Sequence, residues 1–391
     1  MSETRTRATF APPIPESKAW AKNTALPAHL PLLDFSQAAP ASPPPGQMLD
    51  AMASAMTREP ELHLYGPALG NPRLRAALAE KTAKLYNGRI TPEQIAITSG
   101  CNQAFAAAIA TLTSEGDEVL LPTPWYFNHK MWLDMSGVRA VPLTCGPDLL
   151  PSVSRARRLI SPRTKAIVLV SPNNPTGLEY PPELIERFYL LARETGIHLI
   201  LDETYRDFRR SDGPAHQIFA DPEWADALIH LYSFSKAYHL TGHRVGALAT
   251  SETMLTEVVK FLDTVTICPT GLGQKAALWG LENLDTWLKG ERAEILARGD
   301  AVRQVFGKLQ NKGWVLNGSG AYFAYATHPD AARHQNPAQV LLGETGVLAL
   351  PANMFRPKDE AGVLTEFRIA FANADAAGIE EMGRRLADFS F

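Results

Sequence analysis

Between residues 95 and 250 the chain repeats one pattern: a short, almost wholly apolar run, then a longer segment of helical periodicity. The runs are IAITS (95–99), EVLLP (118–122), AVPL (140–143), AIVLVS (166–171), HLILD (198–202), LIHLYS (228–233) and RVGALAT (244–250). Short apolar runs without polar alternation are strands covered on both faces, and helices between them supply the crossovers of a mostly parallel sheet. The expected fold is therefore α/β, with a large domain over 50–275 whose sheet is sandwiched by helices. A chain of 391 residues exceeds what one core usually holds, so a second domain is expected. Over 276–391 a helix-rich stretch precedes strand-like GAYFAYA, VLAL and EFRIAFA, which reads as a smaller α+β domain. Residues 1–49, with the proline-rich SQAAPASPPP (36–45), read as an N-terminal arm that joins it.

Charge and cysteine usage exclude several functions. Lysine plus arginine number 38 and aspartate plus glutamate 41, a near balance that favours neither a nucleic-acid surface nor a polybasic membrane anchor. No apolar run approaches the roughly 20 residues of a membrane span. Cys101, Cys145 and Cys268 are odd in number and far apart, which points to a reducing cytoplasm rather than a disulfide framework or a zinc site. His63, His129 and His230 lack metal-ligand spacing and read as satisfied or exposed histidines, so no metal is expected.

In parallel α/β sheets, ligands sit beyond the carboxyl ends of the strands. After IAIT comes Ser99-Gly100-Cys101-Asn102, opening a helix; after EVLLP, Thr123-Pro124-Trp125-Tyr126; after AIVLV, SPNNPTG (171–177). After HLIL comes Asp202-Glu203-Thr204-Tyr205, and after LIHLY come Ser233 and Lys236. The amides opening the helix at Gly100, Cys101 and Asn102 suit a phosphate, with Arg244 as a two-pronged contact and Ser233 as a hydroxyl. A lysine in such surroundings suits a carbonyl compound. The set fits a phosphorylated aldehyde cofactor.

With SFSKAYHLTGHRVG, SPNNPTG and DETYRDF in that order, the chain resembles the class I/II pyridoxal-phosphate aminotransferases of the aspartate aminotransferase-like superfamily, fold type I. The matches run from about Ala38 to Arg368. The resemblance makes Lys236 the lysine that carries pyridoxal 5′-phosphate as an aldimine and shuttles the α-proton. It makes Asp202 the partner of the pyridine nitrogen, Tyr205 and Asn174 donors to the ring oxygen, and Tyr126 the stacking ring, with Trp125 as the fallback. Arg368 becomes the grip on the substrate carboxylate, joined by Asn174 and by Ala38, which stands where the family usually has glycine and would be strained at positive φ. Tyr65 resembles the tyrosine that reaches the phosphate of a neighbouring subunit, implying a homodimer with shared active sites.

Each residue has a plainer reading. Asp202 alone could cap a helix, Asn174 could be a turn residue, and Arg368 could pair with Asp375 or Glu366. His239 and His243 could merely pack beside the cofactor loop. The expected activity is transfer of an amino group between an L-amino acid and a 2-oxo acid. A carbon–sulfur β-lyase on the same scaffold is the alternative, and a non-catalytic cofactor-binding regulator a more remote one. Trp125, Tyr126 and Phe127 hint at apolar or aromatic substrates, and the segment before Pro40 is a candidate lid.

Overall fold

The computed structural model describes residues 4–360 and 365–391. Its strands are β1 (Leu33–Asp34), β2 (Ile95–Thr98), β3 (Glu118–Thr123), β4 (Arg139–Thr144), β5 (Thr164–Val170), β6 (His198–Asp202) and β7 (Leu228–Ser233). They continue as β8 (Gly246–Ala249), β9 (Val315–Gly320), β10 (Phe323–Thr327), β11 (Val347–Leu348), β12 (Leu350–Pro351) and β13 (Glu366–Ala370).

All seven apolar runs of the sequence become strands of one sheet, ordered β2-β8-β7-β6-β5-β3-β4. Pairing is parallel except at β8, which runs antiparallel to both β2 and β7. The register sets Val170 beside Asp202, Asp202 beside Leu231, and Gly246 beside both Ser233 and Thr98. These residues therefore share one edge of the sheet. Both faces are covered, as the runs require. Ala104, Phe105, Leu255 and Val258 from the helices Cys101–Leu112 and Glu252–Thr266 pack one face. Leu78, Phe188 and Ala277 from Pro72–Tyr86, Pro182–Thr195 and Gly271–Asn283 pack the other.

The smaller sheet is antiparallel, ordered β12-β13-β10-β9. Its core joins Phe367 and Ile369 to Val302 and Phe306 of the helix Asp285–Leu309 and to Met382 of Ala376–Asp388. The run VLAL divides: β11 pairs with β1 of the N-terminal segment, and β12 pairs with β13. The arm itself contains a helix, Pro13–Asn23, with Pro13 in its first turn, where a missing N–H costs no hydrogen bond.

Gly177 closes the SPNNPTG loop against the smaller sheet. Its φ is +76°, and a Cβ there would meet Gly320 N at 2.5 Å and Phe323 O at 2.6 Å. Backbone meets backbone, so nothing can turn aside. Gly177→Ala should cost about 2 kcal/mol or more, read as a lower midpoint in denaturant. A midpoint unchanged from the parent would show that the loop is free to move off the sheet.

Candidate active site

The shared strand edge opens into a cavity of about 310 Å³. Lys236, Asp202, Tyr205, Asn174, Tyr126, Cys101, Asn102, Ser233, Arg244, Arg368 and Ala38 all line it. Lys236 sits in the short helix Phe234–Ala237, capped by the Ser233 hydroxyl, which accepts from Ser235 N at 3.2 Å. The Lys236 ammonium donates to Ala38 O at 2.5 Å. Burial, then Arg244 and Arg368, push its amine down to about 8.

Asp202 ends β6, fully buried. Its Oδ2 lies 3.3 Å from His129 Nε2, and its Oδ1 accepts from Thr204 N at 2.9 Å and from Cys101 Sγ at 3.7 Å. Burial alone would raise the carboxyl, but His129 and Thr204 outweigh it and hold the group below the usual range, so it is ionised. Cys101 behaves oppositely: burial, then Asp202, push its thiol well up, leaving a neutral packing group.

Arg368 comes from the middle of the smaller sheet, opposite Tyr325 and Leu350. It is 1% exposed, donates through Nη1 to Asn174 Oδ1 at 3.3 Å and through Nη2 to Ser36 O, and leaves Nε without a partner. The plainer ion pairs are not made. Glu366 is held by Arg356 and Tyr325, and Asp375 caps the last helix through Gly378 N. Among the described residues no carboxylate comes within ion-pair distance of Arg368, and burial, opposed by Tyr205, Tyr126 and Asp34, pulls it down to about 10.

At the other end of the cavity, Gly100 (φ +85°) opens the helix Cys101–Leu112, and a Cβ there would run into the Arg244 guanidinium. Arg244 donates to Thr241 O at 3.1 Å and to Ser235 Oγ at 3.4 Å. Free helix amides and hydroxyls, with a guanidinium brought so close to the Gly100 backbone that no side chain fits there, suit an anion. Tyr126 lies between the two ends, its phenol pushed up to about 12 by burial, then by Asp202 and Cys101. Burial, then Tyr126, raise the phenol of Tyr205 as well.

Several expectations change in the structure. Trp125 faces away from the cavity, into the core beneath, and is no stand-in for Tyr126. Ala38 is not at positive φ, so the alanine carries no left-handed strain. His239, at φ 56°, packs beside the loop and is also held by Glu291 at 3.1 Å and Pro43 O at 3.4 Å. Tyr65 is 81% exposed and does not line its own chain's cavity.

The chain matches the model of aminotransferase class I and II over residues 31–386. The chain belongs to this family. It is 31% identical to the aromatic aminotransferase ISS1 of Arabidopsis thaliana, with 79% of this chain and 78% of the relative covered. It is 30% identical to the aspartate/prephenate aminotransferase of Thermus thermophilus, with 74% and 76% covered. The structure of the Thermus thermophilus aspartate aminotransferase with maleate superposes with a TM-score of 0.87 at 25% identity, covering 98% of each chain. Amino-group transfer between amino acids and 2-oxo acids is thus the chemistry of this enzyme, and the elimination alternative gains no support.

Three lining or supporting residues of this aminotransferase escaped the motifs. His129, expected only as a satisfied or exposed histidine, stacks on Phe105 with centroids 3.9 Å apart and backs Asp202. Its position three residues after Tyr126, on the same side of a helix, was the available signal. Ser235, rather than Ser233, is the hydroxyl that Arg244 touches. Ile14 reaches the mouth from the Pro13–Asn23 helix. Because the Lys236 amine is mostly neutral above about pH 8, its reductive labelling by a small aldehyde in cofactor-free protein should accelerate up to that pH and then level off. Peptide mass spectrometry distinguishes this from surface lysines, whose labelling keeps rising; a Lys236 profile like theirs would mean an unperturbed amine.

Proposed function

We propose that the enzyme uses pyridoxal 5′-phosphate, with Lys236 as its anchor and proton carrier, in a homodimer with shared active sites. The observation that carries this reading is the meeting of Lys236, Asp202, Arg244 and Arg368 in one cleft. The donor set fits the cofactor: an anion cradle at Gly100 and Arg244, an ionised carboxylate at Asp202, and an amine between them. When bound, the cofactor supplies an aldehyde for the amino group and an aromatic ring that takes up electrons.

The side chains then divide the work. The Gly100, Cys101 and Asn102 turn, Arg244, Ser233 and Ser235 hold the phosphate. Asp202, kept charged by His129 and Thr204, faces the ring nitrogen. Tyr205 donates to the ring oxygen, and Asn174 joins it, since accepting from Arg368 through Oδ1 leaves its NH₂ free to donate. Tyr126 covers the ring. Arg368 is the buried, unneutralised cation that grips the substrate α-carboxylate in both half-reactions, beside the backbone of Ala38. Lys236 Nζ would take the α-proton as the neutral amine and give it back as the ammonium so formed, and an amine lowered to about 8 reaches both forms near neutral pH.

Tyr65 belongs to the partner's phosphate site in this reading, and its exposure supports it. Large and small domains over 50–275 and 276–391, with the 1–49 arm joined to the latter, remain the proposed division. The described residues include no helix long and apolar enough to cross a membrane, and the three unpaired cysteines suit a reducing cytoplasm.

The test is the visible spectrum of the protein loaded with pyridoxal phosphate, before and after a single amino acid is added without an acceptor. The band should bleach, with one 2-oxo acid released per site. A band that persists while pyruvate and ammonia accumulate would mean elimination, and no band at all would end the cofactor reading. Arg368→Lys should keep the band and lower kcat/KM by about 100-fold or more, because a point charge replaces a two-pronged grip. Near-parental kcat/KM in that variant would place the carboxylate elsewhere.

A further inference from the structure

The charges that line the cavity limit which side chains it can accept. Among the described lining residues the cations are Lys236, Arg244 and Arg368, and the carboxylate is Asp202. In the proposed reaction each cation is already engaged, by the aldehyde, the phosphate and the α-carboxylate respectively. The remaining wall is neutral. Ile14 and Phe127 are apolar, and the amides of Asn102 and Asn128 are tied to the Tyr126 hydroxyl, which accepts from Asn128 at 2.8 Å and donates to Asn102 at 3.4 Å. Cations beyond the wall are held elsewhere: Arg356 by Glu360 and Glu366, Lys130 by Asp134, Lys18 by Asp34.

The surface that would serve a partner's site is equally poor in cations. The Tyr65 segment reads PELHLYGPALGN (60–71), and the segment packed on it reads FLDTVTICPTGLGQ (261–274); neither contains lysine or arginine. They meet where Gly66 N donates to Cys268 Sγ at 3.4 Å and where Gly271 passes close to Leu62. His63 is turned onto Met56 O at 2.8 Å, and of the flanking cations Lys275 is held by Glu59 at 2.6 Å, Lys260 by Glu257 at 2.7 Å and Arg73 by Glu282 at 3.5 Å.

We propose that this aminotransferase takes amino acids and 2-oxo acids with uncharged side chains, lying against Ile14 and Phe127, and discriminates against dicarboxylates. The proposal rests on the reaction assigned above and narrows it. A second carboxylate entering this wall would shed water without gaining a cation. One pocket serves both half-reactions, so the acceptor is neutral as well as the donor.

The test compares single-turnover bleaching of the loaded protein by L-leucine, L-methionine and L-phenylalanine with that by L-aspartate and L-glutamate. The best neutral donor should exceed either acidic donor by at least about 100-fold in second-order rate constant. Aspartate or glutamate reacting as fast as the best neutral donor overturns the proposal and leaves the transaminase reading standing. No donor bleaching the band overturns that reading, and the proposal with it. A readout without turnover is calorimetric binding to the loaded protein, where 3-phenylpropionate should bind more tightly than succinate; the reverse order overturns the proposal. In Ile14→Arg the rate ratio should move toward the acidic donors by about 10-fold, and an unchanged ratio removes Ile14 from the wall.

Discussion

The parallel pairing that sets Val170 beside Asp202 and Asp202 beside Leu231 ends three strands at one edge, where the chain must turn out of the sheet. Each turn delivers a different chemical group to the same space: the SPNNPTG loop its Asn174, the next strand its Asp202, the next its capped helix with Lys236. Gly246 closes the set, because a Cβ there would strike Cys101 N and Gly100 C at 2.6 Å. A slip of one residue in any of these pairings would turn the delivered side chain to the opposite face. The site's geometry is therefore a consequence of sheet register before it is one of side-chain packing.

That edge carries an unusual charge balance. Three cations and one carboxylate share a partly enclosed cleft: burial, then Arg244 and Arg368, push Lys236 down to about 8, and burial pulls Arg368 down to about 10. Of the three, Arg368 is buried and Lys236 half-buried, and positive charge so placed is costly unless anions arrive. A phosphate at one end and a carboxylate at the other would relieve it, and any guest that does so stabilises the folded chain by linkage. The same imbalance keeps Lys236 reactive near neutral pH.

The parts legible in the sequence were those in which function is coupled to a local pattern. Lys236, Asp202 and Asn174 each follow an apolar run directly, so strand periodicity located them. Strand direction was not legible, since an apolar run such as RVGALAT reads the same in either orientation; hence the antiparallel β8 came only with the structure. The Pro13–Asn23 helix was hidden by its prolines, and with it Ile14. His129 and Ser235 depend on which face of a helix or turn meets the cavity, a matter of tertiary docking. Tyr65 is exposed in the single chain, and the role proposed for it depends on a surface that one sequence pattern does not specify.

Asp202 and Glu203 show how adjacent carboxylates are kept apart. Successive residues leaving a strand point to opposite faces, so Asp202 looks into the cavity and Glu203 into the core behind it. There Glu203 meets His230 at 2.8 Å, His216 at 3.4 Å and the Tyr86 hydroxyl. Burial would raise Glu203, yet the two histidines hold it well below the ordinary carboxylate range. The sheet thus separates two ionised groups that could not share one small cavity without one taking a proton. With Glu203 held behind the sheet through Oε2, Asp202 is left as the carboxylate that lines the cavity with Lys236 and Arg244 among the described residues, and the charge of the cavity is set by that partition.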